Sequence, residues 1–246
     1  RTRIGIVVND RIIDLAQAAP DLPTDMIAFL RAGAGALDRA RAVQSAGGSN
    51  FAVADVHLEA PVPRPGKILA IGLNYADHVA EMGRDKPAHQ VWFNKQNTAV
   101  NPPFDPVRLP EVSDKIDYEG EMAFVIGRRC RHVPRDRAAE VIAGFTVLND
   151  VSVRDWQMRS QTMMMGKGFD THCPFGPWLV TPDEVGDPHK LALRTWVNGE
   201  LRQDTNTREQ IFDCYAQIEH LTTAFTLEPG DVISTGTGSG VGAGFT

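Results

Sequence analysis

The chain has 246 residues, with 25 Lys and Arg against 31 Asp and Glu, which gives a formal net charge of −6. This acidic balance argues against a general nucleic-acid-binding protein, which is expected to be basic, and no apolar run approaches the roughly 18 residues of a membrane-spanning helix. Hydrophobic residues make up 42% of the chain and charged residues 23%, as is usual for a globular protein, and the length suits one large domain or a large domain with a small one.

The cysteines and the N-terminus indicate the cellular compartment. Three cysteines without regular spacing, at Cys130, Cys173 and Cys214, do not describe a disulfide framework. Residues 1–10 turn polar too early for a secretory signal peptide. We therefore expect a reduced protein of the cytoplasm.

The first quarter of the chain predicts a small α/β domain. Residues 1–15 are typical of two short strands around a turn, and residues 25–44 have helical spacing that glycines interrupt. Residues 61–67, PVPRPGK, hold three prolines and cannot form regular structure, so they are the best linker candidate. The sequence therefore predicts an N-terminal domain over 1–62 and a larger domain over 63–246.

The larger domain contains more predicted strands than helices. Strands are expected at 67–73, 121–127, 145–149 and 231–237, with a hairpin around Asn198-Gly199. Helices are expected at 74–83, where Asn74 would be the N-cap, at 134–144, and at 208–225, where Ile211, Tyr215 and Ile218 share one face. The elements do not alternate in a βαβ rhythm, so the fold class is α+β and mainly β.

Two glutamates stand two residues apart in the strand-like segment DYEGEMAFVIG. Alternation along a strand would place Glu119 and Glu121 on one face, with Cβ atoms roughly 6–7 Å apart. Two such carboxylates repel each other and are expensive to desolvate, but they can converge on a cation. An exposed edge strand with solvated acids explains the pair equally well.

A third acid favours the metal interpretation. Asp150 ends the apolar segment GFTVLND, where a buried strand would not finish in an acid without a partner for it. A set of Glu, Glu and Asp, without Cys or His, favours Mg²⁺, Mn²⁺ or Ca²⁺ over Zn²⁺. The sequence therefore predicts a divalent-metal site.

Two further pairs have helical spacing. His78 and Glu81 are three residues apart, so on a helix they share a face, and a Glu that orients a His makes a general base. Arg154 and Gln157 follow Asp150 at i+4 and i+7, and an arginine there suits bidentate contact with a substrate carboxylate. In each case an ordinary polar helix face is the alternative.

The remaining candidate site residues are next to glycines. Lys167, between two glycines, could approach a ligand and stabilise enolate charge, or it could be a solvated loop lysine. The segment STGTGSGVGAG contains a G-x-G-x-x-A match at Gly238, but no helix or βαβ unit follows, so we reject a dinucleotide site. Its backbone N–H groups, with Thr237, could instead bind a carboxylate.

Taken together, these segments resemble the fumarylacetoacetate hydrolase (FAH) family in order and spacing, over about residues 61–242. The matching segments are KILAIGLNYADHVAEMG, DYEGEMAFVIG, GFTVLNDVSVRDWQ, GKGFDTHCPFGPW, WVNGELRQDTNT and LEPGDVISTGT. The resemblance implies an FAH-type catalytic domain built on a mixed β-sheet roll or sandwich, preceded by a small variable domain. Family chains continue for a few strands beyond the glycine-rich loop, so we expect the C-terminal end to be truncated.

The resemblance also implies roles for individual residues. Metal ligands would be Glu119, Glu121 and Asp150, with Mg²⁺ as the first choice and Mn²⁺ or Ca²⁺ possible. Catalytic residues would be His78, Glu81 and Lys167, and substrate-binding residues would be Arg154, Gln157, Gly236 and Thr237. The expected partners are a small 2-oxo acid substrate and a second copy of the chain in a homodimer, with neither nucleic acid nor a membrane.

Three functions follow from this reading. The leading hypothesis is metal-dependent hydrolysis of a C–C bond in an acylpyruvate or related β-diketo acid, through a metal-bound enolate. The second is decarboxylation of an oxaloacetate-like β-keto acid, or isomerisation or dehydration of a 2-oxo or sugar acid, at the same site. The third is a non-catalytic binding protein, against which the intact catalytic and metal-ligand residues argue.

Overall fold

The structure, a computed structural model, describes residues 2–245. Within this range strands dominate and the helices are few and short, which confirms the α+β, mainly β prediction. Residues 1 and 246, the end positions of the two predicted domains, lie outside the described residues, and so does the expectation of a truncated C-terminal end. Among residues 2–245, no helix combines the length and the hydropathy that crossing a bilayer requires.

The regular elements have the following bounds. The strands are β1 (Gly5–Val8), β2 (Arg11–Asp14), β3 (Phe51–Ala52), β4 (Ile68–Gly72), β5 (Val91–Lys95), β6 (Val100–Asn101), β7 (Ile116–Asp117), β8 (Gly120–Ile126), β9 (Ile142–Asn149), β10 (Ser152–Val153), β11 (Cys173–Val180), β12 (Ala192–Val197), β13 (Glu200–Asn206) and β14 (Val232–Thr237). The helices are α1 (Leu15–Ala18), α2 (Met26–Arg31), α3 (Ala34–Ala46), α4 (Ala76–Glu81), α5 (Arg154–Gln157), α6 (Met164–Lys167), α7 (Pro182–Val185) and α8 (Cys214–Ala224).

The N-terminal part forms an antiparallel sheet, β1-β2-β3, covered by α1 to α3. The two predicted strands are present, and the predicted helical stretch is split at Gly33, whose φ of +74° favours glycine. The segment 61–67 has no regular structure, as expected. Its Val62 is nevertheless fully buried against the core of the larger sheet. The domain division at residue 62 stays a prediction.

A seven-stranded mixed sheet with the order β5-β4-β14-β8-β9-β11-β6 forms the body of the protein. The pairs β4–β14 and β6–β11 are parallel and the other neighbours are antiparallel. Every residue of β8 is buried, because the strand lies near the centre of the sheet and both of its faces are covered. Phe124 and Ile126 pack into one hydrophobic cluster, and Ala123 and Val125 pack into another.

Helix α8 covers one face of this sheet, where Ile218 and Leu221 pack on Phe124 and its neighbours. The helix is shorter than predicted, since Asp213 is the N-cap and accepts from the N–H groups of Tyr215 and Ala216. Ile211 therefore lies before the helix and does not belong to its buried face. The prediction over 208–225 was right in type and wrong in its start.

Two other helix predictions need correction. Residues 135–141 form a 3₁₀ helix that leads into β9, where an α-helix over 134–144 was expected. Asn74 is not the N-cap of α4, which begins after Tyr75. The amide of Asn74 instead donates to the carbonyls of Thr235 and Phe212, which fastens the end of β4 to β14.

The hairpin β12–β13 is confirmed, with positive φ at both turn residues, 52° at Asn198 and 82° at Gly199. Such angles match the right-handed twist of the strands and explain the preference for Asn-Gly at this position. On β13, Gln203 is buried beside Thr237, the last residue of β14. The hairpin thereby supports the end of the sheet where the acids lie.

Candidate active site

Strand pairing brings the three predicted acids together. Glu121 is on β8 and Glu119 directly precedes it, while Asp150 directly follows β9, which runs antiparallel to β8. Asp150 N donates to Glu119 O at 2.9 Å, which joins the two segments at the site. The three residues each have a carboxylate oxygen within 4.8 Å of the others, and all three are buried. The alternative of an exposed edge strand is therefore excluded.

Cations already surround these acids. Lys167 Nζ lies 2.6 Å from Glu119 Oε2 and 2.9 Å from Asp150 Oδ2, and Lys167 is only 2% exposed. Lys95 Nζ lies 2.5 Å from Asp150 Oδ1 and is buried as well. Lys167 is therefore not the solvated loop lysine that its flanking glycines allowed, but the final residue of α6 inside the acidic centre.

The surroundings of the two glutamates shift their pKa values in opposite directions. Burial alone would raise the pKa of Glu119, but the charges of Lys167 and Arg154 outweigh it and lower the pKa to about 2. For Glu121, burial and the charges of Asp150 and Glu119 raise the pKa well above its usual range. Burial would lower the pKa of Lys167, yet the charges of Asp150 and Glu119 raise it, so its ammonium keeps its proton.

Glu121 is held by neutral donors. Its Oε2 accepts hydrogen bonds from Ser234 Oγ at 2.5 Å and from Gly236 N at 2.8 Å, both on β14. A buried carboxylate beside two other acids is stabilised by a bound proton, and for this reason its pKa is raised. A cation bound at the same place would take over the role of that proton. The all-oxygen donor set and its spacing suit a hard divalent ion.

Arg154 is fixed by acids on two sides. Its Nε and Nη2 lie 2.8 and 2.6 Å from Asp117 Oδ2, and its Nη1 lies 2.6 Å from Glu119 Oε1. Nη1 also donates to Gln157 Oε1 at 3.0 Å. The predicted helical face with Asp150 is wrong, because β10 separates Asp150 from the single-turn helix α5. The substrate-binding role of Arg154 and Gln157 stays a prediction.

His78 and Glu81 form the expected pair on α4. His78 Nδ1 lies 3.1 Å from Glu81 Oε2, and the two side chains are 12% and 21% exposed, respectively. The second oxygen of Glu81 accepts from Gly240 N at 2.9 Å. His78 and Glu81 therefore form a pair, and Glu81 is also bound by the loop that contains Gly240. They are not independent residues on a solvated helix face.

The backbone of Gly236 and the hydroxyl of Thr237 are already engaged. Gly236 N donates to Glu121, as described above, and its φ of +90° with a close approach to Asn74 Cβ accounts for glycine at this position. The Thr237 hydroxyl donates to Gly120 O at 2.9 Å and accepts from Gln203 Nε2 at 2.7 Å. In this structure both residues position the acidic strand, and their contact with a substrate carboxylate stays a prediction.

Three contributors to the site were not expected from the sequence. Lys95 ends the apolar strand β5 as a buried charge, which is the same signal that identified Asp150. Asp117 is buried next to the acidic motif and holds Arg154. Gln203 binds Gly120 N and the end of β14 from the hairpin, and its buried position has no local signal in the sequence.

Comparison with known proteins places this geometry in a family. The model of the fumarylacetoacetate hydrolase C-terminal domain matches residues 67–245. A mitochondrial oxaloacetate tautomerase of Xenopus laevis is 42% identical over 98% of this chain and 76% of its own length. Because this relative is mitochondrial, the cytoplasmic location stays a prediction. The homodimer also stays a prediction.

Solved structures agree on the fold. A maleylpyruvate hydrolase of Sphingobium sp. SYK-6, solved with a manganese(II) ion and pyruvate, is 36% identical, covers 98% of this chain and 87% of its own, and has a TM-score of 0.81. A 5-carboxymethyl-2-hydroxymuconate delta-isomerase of Mycobacterium smegmatis is 47% identical, covers 80% of this chain and 76% of its own, and has a TM-score of 0.72. This chain, with its central acidic strand, belongs to the fumarylacetoacetate hydrolase family of enzymes.

Proposed function

We propose that this enzyme forms and reprotonates the enolate of a small 2-oxo acid, and that its reaction is the keto–enol tautomerisation of oxaloacetate. The observation that carries the proposal is the His78–Glu81 pair, a formed acid–base group in a chain in which three other acids converge on one buried centre. Similarity to an oxaloacetate tautomerase over nearly the whole chain supports the substrate. The reaction is of the isomerisation type that the sequence offered as an alternative to hydrolysis.

The His78–Glu81 pair supplies the proton transfer. With His78 Nδ1–H donating to Glu81 Oε2, the other ring nitrogen, Nε2, is left to accept a proton. Removing the proton from C3 of a 2-oxo acid and returning it to the oxygen on C2 interconverts keto and enol forms. Such a transfer needs a base whose tautomer is fixed, which Glu81 provides.

The buried centre supplies charge. Lys167 keeps its proton because Asp150 and Glu119 raise its pKa against the effect of burial, and a fixed ammonium stabilises negative charge that develops on a nearby oxygen. A divalent ion held by Glu119, Glu121 and Asp150 would add a Lewis acid that stabilises the same charge. The oxygen donor set is suited to Mg²⁺ or Mn²⁺, and the manganese-containing maleylpyruvate hydrolase supports this assignment.

Hydrolysis of a C–C bond in an acylpyruvate is the second candidate. It is favoured by the same pair, since a His oriented by a Glu can also take a proton from water. Cleavage would again leave an enolate for Lys167 to stabilise. Similarity to a maleylpyruvate hydrolase supports it, over 98% of this chain.

One assay series separates the two. Enolic oxaloacetate and a set of acylpyruvates are offered to the protein with Mg²⁺, with Mn²⁺ and after chelation. Loss of the enol's ultraviolet absorption without release of pyruvate supports tautomerisation, whereas pyruvate and a second acid from an acylpyruvate support hydrolysis. No metal-dependent turnover of either substrate class would refute the proposal.

A further inference from the structure

Helix α4 presents two acids to one loop. Asp77 and Glu81 are four residues apart and therefore share a helix face. We call residues 238–244 the glycine loop. Asp77 Oδ2 accepts from Ser239 Oγ of this loop at 3.3 Å and from Thr205 Oγ1 of β13 at 2.8 Å. Glu81 Oε1 accepts from Gly240 N at 2.9 Å. Both acids are thus bound by groups outside their own helix.

The helix depends on these partners. A helix of six residues is marginal by itself. Like charges at i and i+4 destabilise it further when they face solvent. Asp77 Oδ1 also accepts from His78 N within the first turn, a local bond that does not involve the loop. The donors on the glycine loop and β13 therefore offset a repulsion that the sequence builds into α4.

The glycine loop is in turn fixed by close approaches. Gly240 has a φ of +93°, and a Cβ there would lie 1.9 Å from Arg202 O. A Cβ on Gly242 would lie 2.6 Å from Asp117 Oδ1, which accepts from Gly242 N. One loop thus contacts the acid that holds Arg154 and the acid that orients His78. These contacts account for the glycine-rich segment that is not a dinucleotide site.

We propose that Asp77 is a positioning residue that holds α4 against the glycine loop, so that Gly240 N–H fixes Glu81 and Glu81 orients His78. The proposal rests on the proposed function only where it assigns proton transfer to His78. Asp77 itself has no role in the chemistry. Its contribution is the geometry of the pair, through a contact to Thr205 that joins residues 128 positions apart.

Two variants isolate the contact. Asp77→Ala removes the acceptor, and Thr205→Val removes the main donor while preserving the side-chain shape and the hydrogen bond that His78 N donates to Asp77 Oδ1. Asp85→Asn, at an exposed position beyond α4, is the matched charge control. The readout is hydrogen exchange of the α4 amides, with the amides of β8 as an internal reference for global stability.

We expect the amides of Val79 in α4 and of Met82 and Gly83 directly after it, which donate to the carbonyls of Tyr75, His78 and Ala80, to exchange about tenfold faster in both test variants. Loss of a hydrogen bond to a charged group implies an effect of this size. The β8 amides and the Asp85→Asn control should be unchanged. Faster exchange in Asp77→Ala alone would overturn the proposal, because the local bond to His78 N would then explain it. Unchanged exchange in both variants would overturn it as well.

Turnover of enolic oxaloacetate with Mn²⁺ separates this proposal from the proposed function. In both variants kcat should fall about tenfold, while KM and the calorimetric Mn²⁺ affinity stay close to those of the parent. Loosened α4 amides with normal turnover would show that Asp77 holds the helix but does not position His78. That result would refute the positioning role and leave the contact as purely structural, whereas the assignment of His78 as the base is tested separately by His78→Ala.

Discussion

Lys95 and Asp150 form an ion pair in the interior, with Nζ 2.5 Å from Oδ1 and neither side chain exposed. The same ammonium donates to Val151 O at 3.2 Å and to Lys167 O, so its three protons all have acceptors. Lys95 thereby ties one proposed metal ligand to the main chain of the lysine that contacts two of them. Lys95 is therefore a second buried cation beside the three acids, in addition to Lys167.

Lys95→Met is therefore expected to destabilise the metal-free protein by about 3–5 kcal/mol, the usual cost of leaving a buried charge without its partner. The free energy of unfolding is measured in urea after chelation. Lys86→Met, at an exposed position, is the control and should change it by less than about 0.5 kcal/mol. A loss below about 1 kcal/mol for Lys95→Met would contradict a structural ion pair here.

Gln203→Leu is expected to cost about 1–3 kcal/mol, because it leaves Gly120 N and the Thr237 hydroxyl without their buried partner. Mn²⁺ affinity should weaken with it, since Gly120 lies between the two glutamates. Urea unfolding and calorimetry measure the two effects. Gln44→Leu on the exposed side of α3 is the matched control. Full Mn²⁺ affinity in Gln203→Leu would show that the hairpin does not support the site.

Glu121 predicts a pH dependence for the metal-free protein. Burial and the charges of Asp150 and Glu119 raise its pKa above the unfolded value of about 4.3, so folding takes up a proton. The stability that this proton provides is present below the unfolded pKa and is lost as pH rises through the folded pKa. Glu121→Gln, which mimics the protonated form, should lose less stability over the same rise.

Urea unfolding of chelated protein from about pH 5 to about pH 8 measures this difference. Glu111→Gln, which removes an exposed acid, should follow the parent. Parallel curves for the parent and Glu121→Gln would show that Glu121 is ionised throughout. Glu119 has the opposite effect on stability, because its pKa is lowered to about 2. The stability that its ionised form provides is lost only as the pH falls through this value.

His78→Ala is expected to lower turnover of the best substrate by roughly 10²–10⁴-fold, the usual contribution of a positioned general base. Mn²⁺ affinity should persist, because His78 is not among the residues that converge on the acidic centre. Steady-state kinetics and calorimetry give the two values. His89→Ala, at an exposed position in the following loop, controls for the loss of an imidazole. Full activity in His78→Ala would remove the base from this residue.

The acids could be predicted because a charge in an apolar strand is a local signal. Glu121 and Asp150 stand in segments whose hydrophobic pattern marks them as buried, so the need for a partner is visible in the sequence. The two cores on either side of β8 follow from the same alternation, as Phe124 and Val125 illustrate. Spacing places His78 and Glu81 on one helix face, but it allows a solvated polar face equally, and the pair was expected from the family resemblance.

The partners of these acids could not be predicted, because they arrive through tertiary contacts. Lys167 read as a loop residue between glycines, and only the packing of α6 places it inside. Arg154 read as part of one helix with Asp150, but the intervening β10 breaks that periodicity. Asn74 is a residue type that often caps helices, but its side-chain amide instead donates to two carbonyls that are distant in the sequence.

The place of β14 in the sheet has a consequence for synthesis on the ribosome. This strand follows every other strand of the described chain, yet it lies between β4 and β8 and joins the two halves of the sheet. Lys67 N, directly before β4, donates to Asp231 Oδ1, directly before β14 and 164 positions later. Until β14 emerges, the facing edges of β4 and β8 have no partner, and Glu121 lacks Ser234 and Gly236. The nascent chain therefore exposes two unpaired strand edges, which are the surfaces most prone to wrong pairing, until β14 is made.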